Sequence, residues 1–117
     1  MQTLLAHPPI TVIRPLDHLN AATSEEFKRQ LMTAISAPGV VALLVDFAEV
    51  TFIDSAGLMA LVSGLKQAKK MGRRFSICSV SPGIRMILEL SKLDRVFKIF
   101  ENVASFESEN SCANQHW

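Results

Sequence analysis

The sequence predicts an α/β domain in which helices lie mainly on one side of a mixed, mostly parallel β-sheet. Short apolar runs typical of strands alternate with longer segments whose apolar residues recur at helical spacing. Residues 40–47 form an almost unbroken aliphatic run, which is typical of a central strand covered on both faces. The predicted order is β-β-α-β-α-β-α-β-α, and such alternation favours parallel neighbours joined by right-handed crossovers.

The N-terminal part predicts a hairpin followed by a helix. Residues 3–5 and 10–13 favour strands, and the prolines between them exclude a helix. This hairpin would add an antiparallel edge to the sheet. Thr23 is predicted to cap the first helix, with Glu26 completing a capping box, and Pro38-Gly39 ends it.

The C-terminal part predicts three further helices and two strands. Residues 48–53 are expected to form a short turn region, and a second helix to run from near Ser55 to about Met71. Residues 75–80 and 96–100 are the predicted strands. Ser81 followed by proline marks the start of a third helix, and Asn102 is predicted to cap a last short helix through about Glu107.

Length and composition indicate one domain over residues 1–107, with a polar tail over residues 108–117 that we expect to be flexible. The 12 basic and 11 acidic residues nearly balance, so we expect no direct contact with nucleic acid or with a membrane. Cys78 lies in an apolar run and Cys112 in the polar tail, which favours two free thiols and a reducing compartment. With no signal peptide in the sequence, a cytoplasmic protein is expected.

The segment around Asp54-Ser55 is the most informative, because a polar pair stands between an apolar strand end and an apolar helix start. One interpretation is structural, in which Ser55 is the N-cap and Asp54 complements the helix dipole. A second interpretation adds a function. A phosphate on Ser55 would meet free backbone N–H groups and a favourable dipole, while disturbing any protein docked against that tip.

Several segments together resemble the anti-sigma factor antagonists, which carry a STAS domain. The resemblance covers about residues 10–107, with its segments in the family's order and spacing. Leu16-Asp17-His18 and Ala21-Ala22-Thr23 resemble the approach to the first helix. Val45-Asp46-Phe47 and residues 50–58 resemble the signature strand and switch loop, and residues 81–93 and 97–100 resemble the third helix and last strand.

The resemblance implies a STAS-like fold and a protein that acts by binding. Ser55 matches the family's phosphorylated serine, Asp54 its acidic neighbour, and Asp17 an acidic position that aids the partner interaction. The implied partners are an anti-sigma factor with serine kinase activity and a serine phosphatase that resets the switch. The predicted partner-binding residues are Asp17, His18, Asp54, Ala56, Gly57 and Met59, of which Ala56 and Gly57 would keep the helix start narrow enough for close approach.

No catalytic residue, metal site or cofactor is predicted, and the expected state is a monomer or weak dimer. The three histidines are scattered without metal-ligand spacing. Ala56 stands where many relatives have a second hydroxyl, and Arg14-Pro15-Leu16 replaces the family's usual glycine-containing stretch. Two alternatives stay open, namely a constitutive scaffold subunit of a signalling or transport assembly, and a small enzyme using Ser55 as nucleophile.

Overall fold

The computed structural model describes the backbone of residues 2–7 and the whole of residues 10–108. The predictions for Cys112 and for the tail beyond residue 108 fall outside these ranges. Seven strands are described, and they follow the chain in this order: β1 (Gln2–His7), β2 (Ile10–Arg14), β3 (Asp17–Leu19), β4 (Ala42–Asp46), β5 (Val50–Ile53), β6 (Arg74–Cys78) and β7 (Lys98–Phe100).

Five of these strands form the main sheet, in the order β1-β2-β4-β6-β7. The first pair is antiparallel and the other three pairs are parallel, so the predicted hairpin edge and mostly parallel sheet are confirmed. Residues of β4 are buried throughout, as expected for a strand covered on both faces. Strand β6 ends two residues earlier than predicted, because Ser79 adopts a positive φ of 59° and turns the chain.

The remaining two strands, β3 and β5, pair in parallel as a small separate sheet. The predicted turn over residues 48–53 is therefore confined to residues 48 and 49, and the prediction is wrong for residues 50–53. Both strands are very short, and Asp17 enters the pairing with a φ of 58° and a shift of register. Their hydrogen bonds join segments more than thirty residues apart, so the local sequence carries little signal of the pairing.

Three helices lie on one face of the main sheet, namely α1 (Ser24–Ser36), α2 (Ser55–Lys70) and α3 (Pro82–Leu90). A 3-10 helix (Leu93–Arg95) follows α3, and residues 103–108 form a fourth helix, α4, at the end of the described chain. Phe106 of α4 packs on the opposite face of the sheet with Val12, Leu44 and Cys78. The prediction of helices mainly on one side is confirmed, and within the described ranges no helix is long and apolar enough to cross a bilayer.

The helix starts test three capping predictions. Ser81 accepts a hydrogen bond from the Ile84 N–H at 3.3 Å, and Asn102 accepts one from the Ser105 N–H at 2.8 Å, so both caps are confirmed. The capping box of α1 is wrong. The Thr23 hydroxyl donates to the His18 carbonyl at 2.8 Å and makes no cap bond, while Glu26 pairs with Arg29, which lowers the pKa of Glu26.

Candidate functional site around Ser55

The start of α2 is capped by Asp54. Its carboxylate accepts a hydrogen bond from the Gly57 N–H at 3.1 Å, and its carbonyl accepts one from the Leu58 N–H at 2.9 Å. Ser55 is the first residue of the helix and not its N-cap, so the prediction that Ser55 caps α2 is wrong. Asp54 takes this role because its backbone is extended, with φ −115° and ψ −171°, as N-cap geometry requires.

Ser55 itself is exposed, and its hydroxyl makes no hydrogen bond to another described residue. The backbone N–H groups of Ser55 and Ala56 lie in the first turn of α2, where a helix provides no backbone acceptor. An anion attached to the hydroxyl would therefore stand beside two N–H donors and the positive end of the helix dipole. The Asp54 cap is made by another side chain, so it does not depend on this hydroxyl.

The small sheet fixes the position of the loop between β5 and α2. The Asp54 N–H donates to the Leu19 carbonyl at 3.1 Å, which joins the end of β5 to the end of β3. At the other end of the pair, the Asp17 N–H donates to the Glu49 carbonyl at 2.9 Å, and the Thr51 hydroxyl donates to the Asp17 carbonyl at 3.3 Å. Asp17 and His18 belong to β3, so the pairing of β3 with β5 places them in the same small sheet from which the Ser55 loop leaves.

Gly57 is buried where α2 passes over β3. A Cβ atom added there would lie 2.4 Å from the Leu19 carbonyl oxygen and 2.8 Å from the Cγ1 atom of Ile53. Such distances are far below carbon contact distances of about 3.5–4.0 Å, so the close approach of α2 to β3 requires glycine. The position also explains why the first turn of α2 sits directly on the small sheet.

Exposed apolar side chains occur on or next to β3, β5 and α2, the three elements that meet beneath the loop. Leu16 precedes β3 and is 44% exposed, Phe52 on β5 is 48% exposed, and Met59 on α2 is 60% exposed. The His18 ring contacts Phe52 edge to face, with 5.9 Å between centroids. We name Leu16, His18, Phe52, Ser55 and Met59 the switch surface. An exposed apolar surface of this kind is typical of protein-binding sites.

Sequence reasoning missed Leu16 and Phe52 as members of this surface. Phe52 lies in a segment expected to be a turn, and its outward position depends on the pairing of β5 with β3. Leu16 is exposed because the preceding Pro15 is buried and turns the chain into β3. Both residues could have been suspected from their place beside Asp17 and Asp54 in the chain, since apolar side chains next to loop tips are frequent anchors of interfaces.

An open groove of about 390 Å³ adjoins the switch surface between β3 and α1. Leu16 and His18 line one side, and Ala22 and Glu26 line the other. Within residues 10–108, no group of three His, Cys, Asp or Glu side chains is arranged to hold a metal ion. Neither His18 nor Asp17 shares a hydrogen bond with Ser55, so the geometry gives no support to a nucleophilic serine.

Comparison with known proteins assigns the family. The model of the STAS domain matches residues 3–106, which is most of the chain. This chain belongs to the STAS domain family. The mostly parallel main sheet and the helices on one face are thus the architecture of a STAS domain.

Proteins similar to this STAS domain include an anti-sigma F factor antagonist of Paenibacillus polymyxa. It is 24% identical over 96 residues, a match that covers 82% of each chain. Among solved structures, the Bacillus cell fate determinant SpoIIAA in its phosphorylated form has a TM-score of 0.71 at 20% identity, covering 92% of this chain and 96% of that one. A sulfate transporter family protein from Wolinella succinogenes has a TM-score of 0.76 at 13% identity, covering 87% and 84%.

The predicted site residues of this STAS domain are distributed as follows. Ser55, Asp17, His18 and Met59 are exposed, while Asp54 and Ala56 are half-buried at the start of α2. Gly57 is buried, and its small size serves the contact between α2 and β3. Five of the six predicted partner-binding residues are therefore at least partly accessible, and Gly57 is buried.

Proposed function

We propose that this STAS domain is an anti-sigma factor antagonist that is switched by phosphorylation of Ser55. In its unmodified form it binds an anti-sigma factor with serine kinase activity through the switch surface, together with Asp17, Asp54, Ala56 and Gly57. The kinase then phosphorylates Ser55 and the complex separates. A serine phosphatase restores the unmodified form.

The observation that carries this proposal is the exposed, unbonded hydroxyl of Ser55, one helical turn before the exposed Met59. A kinase can reach this oxygen without unfolding the helix. Met59 lies one helical turn after Ser55 on α2, so a docked protein that buries Met59 at this helix start would also cover Ser55. A phosphate adds about −1.5 to −2 charges at neutral pH, and burying an uncompensated charge costs several kcal/mol.

The similarity of names supports the same proposal at the level of the family. The relative from Paenibacillus polymyxa is named as an anti-sigma F factor antagonist. The similar Bacillus structure is described as a phosphorylated form. Asp54 and Ser55 stand in this chain as an acidic residue followed by a hydroxyl, and Ser55 is the first hydroxyl that α2 presents to solvent.

The test is a capture experiment with three forms of the full chain, namely wild type, Ser55→Asp and Ser36→Asp. Ser36 is an exposed serine at the far end of α1, so its variant controls for an added negative charge elsewhere. Wild type and Ser36→Asp should capture the same kinase from a lysate of the source organism. Ser55→Asp should bind that kinase about tenfold more weakly or worse, a loss of roughly 1.4 kcal/mol.

Phosphorylation itself is tested with the captured kinase and ATP. Intact mass should rise by one phosphate in wild type and in Ser36→Ala, and stay unchanged in Ser55→Ala. A Ser55→Asp protein that binds the kinase as tightly as wild type, or a phosphate that still attaches to Ser55→Ala, would contradict the proposal.

A constitutive scaffold in a larger assembly is the second candidate, and the fold it needs also occurs in a sulfate transporter family protein. The scaffold requires no modification of Ser55. It therefore predicts an unchanged mass after incubation with ATP and cell extract, and equal binding of partners by wild type and Ser55→Asp. The same two measurements thus separate the two candidates.

A further inference from the structure

The outer face of α3 is a second exposed apolar surface, formed by elements other than those of the switch surface. Met86 and Leu90 lie one helical turn apart and are 59% and 78% exposed. The inner face of α3 is complete without them, since Ile84 and Leu88 pack in the core. The stripe of Met86 and Leu90 is therefore not needed for folding, and it is open to a contact with another molecule.

Gly83 lies on the same stripe, seven residues before Leu90. A Cβ atom added at Gly83 would meet nothing within 4 Å, and its φ is not positive. Neither packing within the domain nor backbone conformation thus requires glycine at this position. The stripe has a flat end at Gly83 and a protruding end at Leu90, about 10 Å apart along the helix axis.

The charged side chains beside the stripe also differ between its two ends. Arg85 and Glu89 are both exposed and are one turn apart. Neither side chain forms a hydrogen bond or ion pair with another residue of the described chain. A positive group thus lies near the flat end and a negative group near the protruding end.

We propose that α3 binds α3 of a second copy of this chain, antiparallel about a twofold axis near residues 86 and 87. In an antiparallel contact about a twofold axis, a residue near the start of the helix in one copy faces a residue near the end of the helix in the other copy. Leu90 of each copy then covers Gly83 of the other, the Met86 side chains pack at the centre, and Arg85 of each copy approaches Glu89 of the other. Shape and charge are complementary in this orientation, whereas a parallel arrangement would place Arg85 beside Arg85.

The contact is small, so the dimer is weak. A nine-residue helix is about 13 Å long, and pairing one such face falls well short of the roughly 1,200–2,000 Å² buried by stable specific interfaces. Self-association should therefore depend on concentration, with the monomer dominant in dilute solution. This dimer does not rest on the proposed switch at Ser55 and can fail or hold independently of it.

Sedimentation equilibrium of the full chain tests the proposal. The average mass should rise from 12.9 kDa in dilute solution towards twice that value as the concentration approaches the millimolar range. In parallel, amide chemical shifts that change with concentration should cluster on residues 82–90. A mass that stays at 12.9 kDa throughout, or shifts that cluster elsewhere, overturns the proposal.

Two variants and one control separate this contact from others. Leu90→Glu and Gly83→Met should each weaken the dimer by about a hundredfold, since both copies carry the change and each change costs roughly tenfold. Gly83→Met has open space in the monomer, so its thermal stability should not fall below that of wild type. Val41→Glu alters an apolar residue of similar exposure, 53%, and should leave the dimer unchanged. Equal dimerisation of wild type and Gly83→Met would overturn the proposal.

Charge reversal gives a final test of orientation. Arg85→Glu and Glu89→Arg should each weaken the dimer, because like charges then meet across the axis. The double variant should dimerise as wild type does, because opposite charges again meet between position 85 of one copy and position 89 of the other. A double variant that is as weak as the two single variants would exclude the antiparallel arrangement.

Discussion

Replacing Gly57 with alanine should destabilise the whole domain, although glycine to alanine in a helix is normally favourable. The added methyl group would lie 2.4 Å from the Leu19 carbonyl oxygen, 2.8 Å from Ile53 Cγ1 and 2.9 Å from Leu19 Cβ. Two of these atoms belong to Leu19, whose carbonyl also accepts the hydrogen bond from the Asp54 N–H. The methyl group can be accommodated only if α2 moves away from β3.

The expected cost follows from three contributions. Overpacking in a close-packed core costs about 1–3 kcal/mol. Strain on the hydrogen bond between Asp54 and Leu19 adds about 0.5–1.5 kcal/mol. The better helix propensity of alanine returns about 1 kcal/mol. The free energy of unfolding should therefore fall by about 2 kcal/mol.

Urea denaturation followed by circular dichroism measures this change, and the midpoint should fall by about 1 M. Gly83→Ala is the matched control, because Gly83 also lies in the first turn of a helix but has open space around its Cα. That variant, measured in dilute solution, should be as stable as wild type or about 0.5–1 kcal/mol more stable. A Gly57→Ala protein as stable as the Gly83→Ala protein would refute the packing argument.

Three further predictions concern the residues that hold the ends of the strands. Asp54→Ala should lower the free energy of unfolding by about 1 kcal/mol in urea denaturation, while Asp54→Asn should retain the cap and stay near wild type. The carboxylate of the buried Asp46 lies 3.0 Å from the guanidinium of Arg14, whose side chain is 32% exposed. Asp46→Ala should therefore lower the free energy of unfolding by about 2 kcal/mol in the same assay, which is less than breaking a fully buried pair costs. Burial raises the pKa of Cys78 from 9.0 to about 12, so in a Cys112→Ser background its thiol should resist alkylation in the folded protein. Because the unfolded thiol ionises first, this contribution to stability is complete below pH 9.0 and is lost between there and about pH 12, which urea titrations across that range would detect.

Much of the fold could be predicted because its signals are local. The buried run of β4 and the apolar faces of α2 and α3 are readable from spacing alone. The cap at Ser81 needs nothing beyond a serine before a proline. Each of these features is determined by residues close together in the chain, so no knowledge of the tertiary structure was required.

The errors share a different cause, since each depends on contacts between distant segments. Strand β3 has no strand pattern of its own and forms by pairing with β5, which is a run of only four residues, all β-branched or aromatic. Thr23 does not cap α1, because its hydroxyl donates instead to the carbonyl of His18 in β3 of the same small sheet. Gly57 was interpreted as an opening for a partner, whereas the carbonyl of Leu19 requires it from within. All three errors concern the small sheet, whose strands also carry His18 and Phe52 of the switch surface.

The distinction between Asp54 and Ser55 has a consequence for a phosphorylation switch. If Ser55 were the N-cap, attaching a phosphate to its oxygen would alter the bond that starts α2, and modification would change both stability and binding. Asp54 makes that bond, and Gly57 and the small sheet hold the loop from below. The Ser55 hydroxyl thus makes no bond on which the start of α2 depends. A phosphate attached to it can change what the surface binds without disturbing the fold.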